Sequence, residues 1–352
     1  MNKKTMLIVL IAVAAVIVAL IFAFGGKQQV TDKIYEIIPG QQNHYFSSKG
    51  QLEVVNQEGI TQVSLSGEQT KIENPFANPV YRQNKNYKLL YDQRGTNLTV
   101  FRGNKKEYTI ETDLPIITAK TNAVGYTAVA TLETGYKGKL VVYDNSGLDV
   151  YKWQMGNSYV VDMDISSDCK RLAVASVVTT GKTTGCRLVM INLDKAEIIM
   201  DSTLENTLPM SVNFVKNNIA VTVTDNGVYA IDRAGKDKWN YRYDDKILES
   251  YKLCENGATV MKFAGASNNN IIEMYNNHGK KCGEYVSNNE IIAMDANEKT
   301  VAVTDGHYVT VANWKGQSKD FVKLENDIRK IVLLDKDTVC AICGSIVRAV
   351  KF

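Results

Sequence analysis

Val142-Tyr143-Asp144-Asn145-Ser146-Gly147 carries an apolar strand end straight into a short polar turn. The same shape returns at Val54-Val55-Asn56-Gln57-Glu58-Gly59, Ala230-Ile231-Asp232-Arg233-Ala234-Gly235, Met274-Tyr275-Asn276-Asn277-His278-Gly279 and Val311-Ala312-Asn313-Trp314-Lys315-Gly316. Weaker copies centre on Arg102 and Asn192. Turn starts at 56, 102, 144, 192, 232, 276 and 313 give intervals of 46, 42, 48, 40, 44 and 37 residues. A strand-rich period of about 40–45 residues is the mark of a β-propeller, one blade per repeat.

Asn or Asp in such a turn bonds its own backbone, and Gly accepts positive φ. The pairs Asn56/Gly59, Asp144/Gly147, Asp232/Gly235, Asn276/Gly279 and Asn313/Gly316 therefore read as structural turn tips. Between them, short apolar runs rich in Val, Ile, Thr and Tyr are bounded by Gly, Asn and Asp, with no helical period. One repeat divides into strands at 159–165, 171–178, 186–192 and 197–201, with a long hairpin loop at 179–185; another divides at 291–295, 300–304, 307–313 and 318–323. Each sheet has two apolar faces, and closing a ring covers them all. Seven tips give seven blades, starting with Ile34–Ile38 as the first inner strand. Three more strands after residue 327 make an eighth blade that lacks its outer strand. The segment around Lys33–Ile38 is the available donor, at the cost of the first blade's inner strand. Eight four-stranded blades are the preferred count, seven the alternative.

Val228-Tyr229-Ala230-Ile231-Asp232-Arg233-Ala234-Gly235-Lys236-Asp237-Lys238-Trp239 resembles the repeat of quinoprotein-like propellers, whose Trp packs between blades. The resemblance implies a blade-packing role for Trp239 and for Tyr151, which stands at the matching place after Asp144. The stretch 160–175, with Ser166-Ser167-Asp168 in its turn, looks like the inner strands of WD40-type propellers. The whole chain is similar to an uncharacterised Gram-positive family of membrane-anchored propeller proteins, a domain of unknown function. Quinone-binding members carry adjacent cysteines, and here no two cysteines are adjacent, so no cofactor is expected.

Met6–Phe24 is an unbroken run of nineteen apolar residues behind Lys3 and Lys4. Such a run is about 28 Å long as a helix, close to the hydrocarbon thickness of a bilayer. It exceeds the ~7–15 residues of a signal-peptide core. The expected organisation is a cytoplasmic tail at 1–5, a transmembrane helix at 6–24, a linker at 25–33 and a propeller at 34–352. Lysines before the run favour a cytoplasmic N-terminus and place the propeller outside the cytoplasm, at the cell membrane. The lipid bilayer is then the first partner, and an envelope protein or cell-wall polymer the second.

Of 41 Lys and Arg, three lie in residues 1–27, which leaves 38 basic against 38 acidic residues. That balance gives no support for nucleic acid as a partner. Six cysteines show no paired zinc spacing, and only three histidines occur; free, mostly buried thiols are expected. Gly181-Lys182-Thr183 lacks the rest of a P-loop. Ser167 and Lys170 have S-x-x-K spacing but sit in a turn. Asp162 and Asp164 alternate on an inner strand, so both point to one face. They are the candidate ligand-binding residues of the channel. With no other chemistry in the pattern, a non-catalytic scaffold or sensor is the first reading. A hydrolase or lyase acting on a sugar or small polar ligand in the channel is the second.

Overall fold

The computed structural model describes residues 29–31, 33–38, 41–264 and 270–352. The tail at 1–5, the apolar run at 6–24 and linker residues 25–28 and 32 lie outside them. Among the described residues no helix is long and apolar enough to cross a membrane.

The fold is an all-β propeller of eight blades. Seven are antiparallel sheets built from consecutive strands: 44–73, 79–111, 116–155, 158–205, 209–242, 247–286 and 293–323. In blade 4 the strands are Ser158–Ile165, Arg171–Thr180, Thr183–Asn192 and Glu197–Glu205. The expected long loop at 179–185 is instead a tight hairpin, because Thr180 pairs with Thr183. Pairing Thr179 with Thr184 and Thr180 with Thr183 extends the two strands beyond their apolar stretch.

Blade 8 takes Ile328–Leu333, Thr338–Cys343 and Ile346–Lys351 from the C-terminus, and its outer strand from the N-terminus. Gln29 lies opposite Lys351 and Tyr35 opposite Val347. The N–H groups of Thr31, Ile34 and Ile37 donate to Ala349, Val347 and Ser345 carbonyls. This corrects one expectation: Ile34–Ile38 is not the inner strand of blade 1, which is His44–Ser48. The physical reason is the free edge of 346–351, which the N-terminal strand covers.

Eight apolar clusters hold the ring, one at each of eight blade junctions. An open arc of eight blades would have seven. Ile34, Tyr35, Tyr45, Leu52, Leu334 and Val347 share the junction between blades 8 and 1, where the two ends of the chain meet.

In blades 3, 5, 6 and 7 the tip joins the third and outer strands. Asp144, Asp232, Asn276 and Asn313 each accept, on Oδ1, the N–H groups two and four residues ahead. Asn56–Gly59 sits differently, between the second and third strands of blade 1. The corresponding outer turn there is Ser64–Gly67, with Ser64 Oγ taking the Glu68 N–H.

The tip glycines also dock on the blade before. A methyl group at Gly279 would lie 2.6 Å from the ring of Trp239, on the outer strand of blade 5. One at Gly147 would lie 3.1 Å from Tyr108, on the outer strand of blade 2. Their φ values, +72° and +86°, already favour glycine. Tyr151, on the outer strand of blade 3, is half-buried in the cluster shared with blade 4.

Candidate functional site

All inner strands run in one direction around the channel, so the molecule has two faces. Turns between first and second strands, and between third and outer strands, lie on one face, the tip face. The opposite face carries the remaining connections and the starts of the inner strands.

The inner strand has a neighbour on one edge only, so its other edge faces the channel with unpaired backbone groups. Asp162 and Asp164 of blade 4 are buried and take two of these groups from blade 5. Asp162 Oδ2 accepts the Val212 N–H at 2.9 Å, and Asp164 Oδ2 accepts the Phe214 N–H at 2.7 Å. Their two-residue spacing matches the spacing of the N–H groups on the facing strand. Lys120 of blade 3 completes the clasp: its Nζ lies 2.6 Å from Asp162 and donates to the Val212 carbonyl and to Asn213 Oδ1. The lysine–aspartate pair thus acts as a substitute strand across blades 3, 4 and 5.

Blade 7 repeats the device. Asp295 Oδ2 accepts the Leu333 N–H of blade 8 at 2.8 Å, and Lys252 of blade 6 pairs with Asp295 at 2.7 Å. Sequence reading missed Lys120, Lys252 and Asp295. A signal existed in Met163-Asp164-Ile165 and Met294-Asp295-Ala296, which occupy the same place in their blades.

Burial pushes the Asp164 carboxyl up to about 6, against the Lys120 charge and the Phe214 N–H. A folded value above the unfolded one of about 3.9 means the native state holds the proton more tightly. The stability this contributes is complete below about pH 4 and is lost as pH rises through about 6. The wild type should therefore gain on an Asp164→Asn variant as pH falls from about 7 to about 4. Thermal midpoints of both proteins across that range check it; parallel curves would exclude the assignment.

Near the channel on the opposite face, the starts of four successive inner strands expose apolar side chains. Tyr159 of blade 4, Met210 of blade 5, Ile247 of blade 6 and Ile292 just before blade 7 are 55%, 41%, 71% and 50% exposed. Leu208 and Val286 are exposed on the same side, and the Lys137 ammonium sits 4.9 Å from the centre of the Tyr159 ring. Their inner strands follow one another around the ring, which places the four side chains on the same side of successive blades.

All six cysteines are free thiols; Cys282 is exposed, Cys169 half-buried and the others buried. Burial pushes Cys186, Cys254 and Cys340 up to about 12. Among the described residues, no three His, Cys, Asp or Glu side chains form a group fit to hold a metal ion.

The fold is shared with solved propellers at low identity. The C-terminal WD40 domain of Sif2 aligns over 90% of this chain and 98% of its own, with TM-score 0.62 and 10% identity. BamB from Moraxella catarrhalis aligns over 92% of this chain and 100% of its own, with TM-score 0.51 and 12% identity. No curated protein sequence matches the chain. The profile of a family of unknown function, DUF5711, matches residues 27–351. The chain, propeller and closing strand together, belongs to the DUF5711 family.

Proposed function

We propose that this protein is a membrane-anchored propeller acting as a non-catalytic interaction scaffold or sensor at the extracytoplasmic face. The observation that carries the reading is the apolar rim of Tyr159, Met210, Ile247 and Ile292. Exposed apolar side chains gathered on one face mark protein-binding surfaces. The chain enters the propeller at Gln29, paired with Lys351 at the tip-face end of blade 8. An anchor at 6–24 thus attaches to the tip face, and the rim points away from the bilayer toward a partner in the envelope. Asp162 and Asp164 hold backbone N–H groups of the next blade, which favours the scaffold over a hydrolase or lyase using them.

A photo-crosslinking residue at position 247 in intact cells should give one discrete protein adduct, lost when Met210→Asp is added. An adduct that survives Met210→Asp, or none at all, would overturn the docking surface. Topology has its own readout in Cys282, the exposed thiol. A membrane-impermeant maleimide should label it in intact cells and not in a Cys282→Ser variant. Labelling only after lysis would place the propeller in the cytoplasm.

A further inference from the structure

A cleft of about 350 Å³ opens between blades 1 and 2 on the tip face. Lys49, Gln51, Gln62, Lys85, Asn86 and Asn104 line it, with the Lys88 ammonium beneath. Its wall holds no carboxylate and no aromatic ring. Buried Glu53 organises the floor: it accepts from Gln62 Nε2 at 2.8 Å and pairs with Lys88 at 2.6 Å. Gln62 Oε1 in turn accepts from Asn104 Nδ2 at 2.6 Å, and Asn104 Oδ1 accepts from Lys88 at 3.1 Å. Each NH2 group spends one N–H in this network, Gln62 on Glu53 and Asn104 on Gln62, and keeps its second N–H to donate.

Two lysines guard the mouth at equivalent places in adjacent blades. Lys49 and Lys85 sit in two-residue hairpin loops closed by Ser48–Gln51 and Asn84–Tyr87. Their φ values are +50° and +51°. Gly, Asn and Asp are the residues such loops favour. A lysine there costs about 1 kcal/mol of backbone strain. No carboxylate pairs with either ammonium among the described residues.

We infer that this cleft binds a headgroup phosphate, with Lys49 and Lys85 neutralising the charge and the Gln62 and Asn104 amides donating to its oxygens. Lysine serves phosphate as a point charge, and oriented N–H groups complete the shell. The source follows from the tether. Phe24 to Gln29 is five residues, which reach at most about 17 Å. The tip face therefore rests against the headgroups of the anchoring leaflet, and blade 1 adjoins blade 8, where the tether enters. The ligand is an anionic phospholipid headgroup. The choice of a lipid source rests on the anchoring proposed above; the phosphate chemistry does not.

The test is hydrogen exchange of the full chain in nanodiscs of phosphatidylcholine with and without phosphatidylglycerol, plus a third arm with soluble glycerol phosphate added to phosphatidylcholine discs. At about ten times the dissociation constant, exchange of the loops at 48–51 and 84–87 should slow about tenfold. The turn at 144–147 should not change. Lys49→Glu with Lys85→Glu should abolish the effect, and Lys280→Glu with Lys315→Glu, on the tips of blades 6 and 7, should leave it. Slowing by soluble glycerol phosphate alone keeps the site and removes its lipid source together with the membrane-facing orientation. Slowing that persists in Lys49→Glu/Lys85→Glu, or no slowing in either arm, overturns the site.

Discussion

A chain that begins at Gln41 is expected to lose the closed ring, with a lowered unfolding midpoint and self-association where a chain that begins at Gln29 is monodisperse. The missing strand carries Ile34 and Tyr35, 4% and 7% exposed. Burying two such side chains contributes about 1.5–3 kcal/mol each. The N–H bonds of Thr31, Ile34 and Ile37 go too, along with the two-way bond between Thr31 Oγ1 and the Ala349 backbone. The larger consequence is the bared edge of Ile346–Lys351, a template for another chain. A rearranged variant separates loss of this strand from general damage. Phe352 and Gln29 lie at the same end of blade 8, because Lys351 pairs with Gln29. Joining residue 352 to residue 29 through a four-residue Asn-x-x-Gly turn, with the new start at Gln41, turns blade 8 into an ordinary four-stranded blade. It should regain the midpoint and the monomer. If the chain starting at Gln41 stays folded and monomeric without it, the N-terminal strand is decoration.

The blade plan was legible because it depends on local chemistry. Turn residues and apolar runs recur every few tens of residues, and blade 4 follows the expected division closely. The phase of the first blade was not legible. Asn56–Gly59 has the composition of an outer tip, yet a turn between second and third strands asks for the same residues. Ser64 at the outer turn does the work of Asn with a hydroxyl and leaves a weaker trace in the sequence. The closing strand was legible only as an option, since the free edge it covers is formed more than three hundred residues later. The channel acids were legible as residues and not as a device. Their partners, Val212 and Phe214, contribute backbone N–H groups, which every residue but proline owns, so no side-chain pattern announces them. Lys49 and Lys85 went unnoticed because lysine in a polar turn is unremarkable until the backbone angle is known.

Lys88→Met is expected to destabilise the propeller by about 3–5 kcal/mol at neutral pH, the cost of leaving one buried charge without its partner. Glu53 is fully buried on the second strand of blade 1, and the Lys88 side chain is 3% exposed on the second strand of blade 2. Their ion pair spans the junction at 2.6 Å, and the Tyr81 hydroxyl and Gln62 amide also donate to the same carboxylate. Methionine keeps the length and the apolar stem, so the change removes charge and hydrogen bonding rather than volume. The deficit comes from the stranded charge and not from lost volume. A second change tests that account. Glu53→Gln in the Lys88→Met background keeps an acceptor for Gln62 and Tyr81 and removes the charge, and should recover most of the loss. Glu53→Gln alone should also destabilise, because the ammonium is then the stranded ion. The two single losses should therefore exceed the double loss by about 2 kcal/mol or more, a coupling that residues in contact produce and distant residues do not. Denaturant midpoints of the four proteins measure it, with the slope checked for constancy across the set. Additive losses would mean that blades 1 and 2 are held by their apolar contacts, among them Val55, Ile60, Leu90 and Phe101, and that the ion pair is present for the cleft above it rather than for the ring.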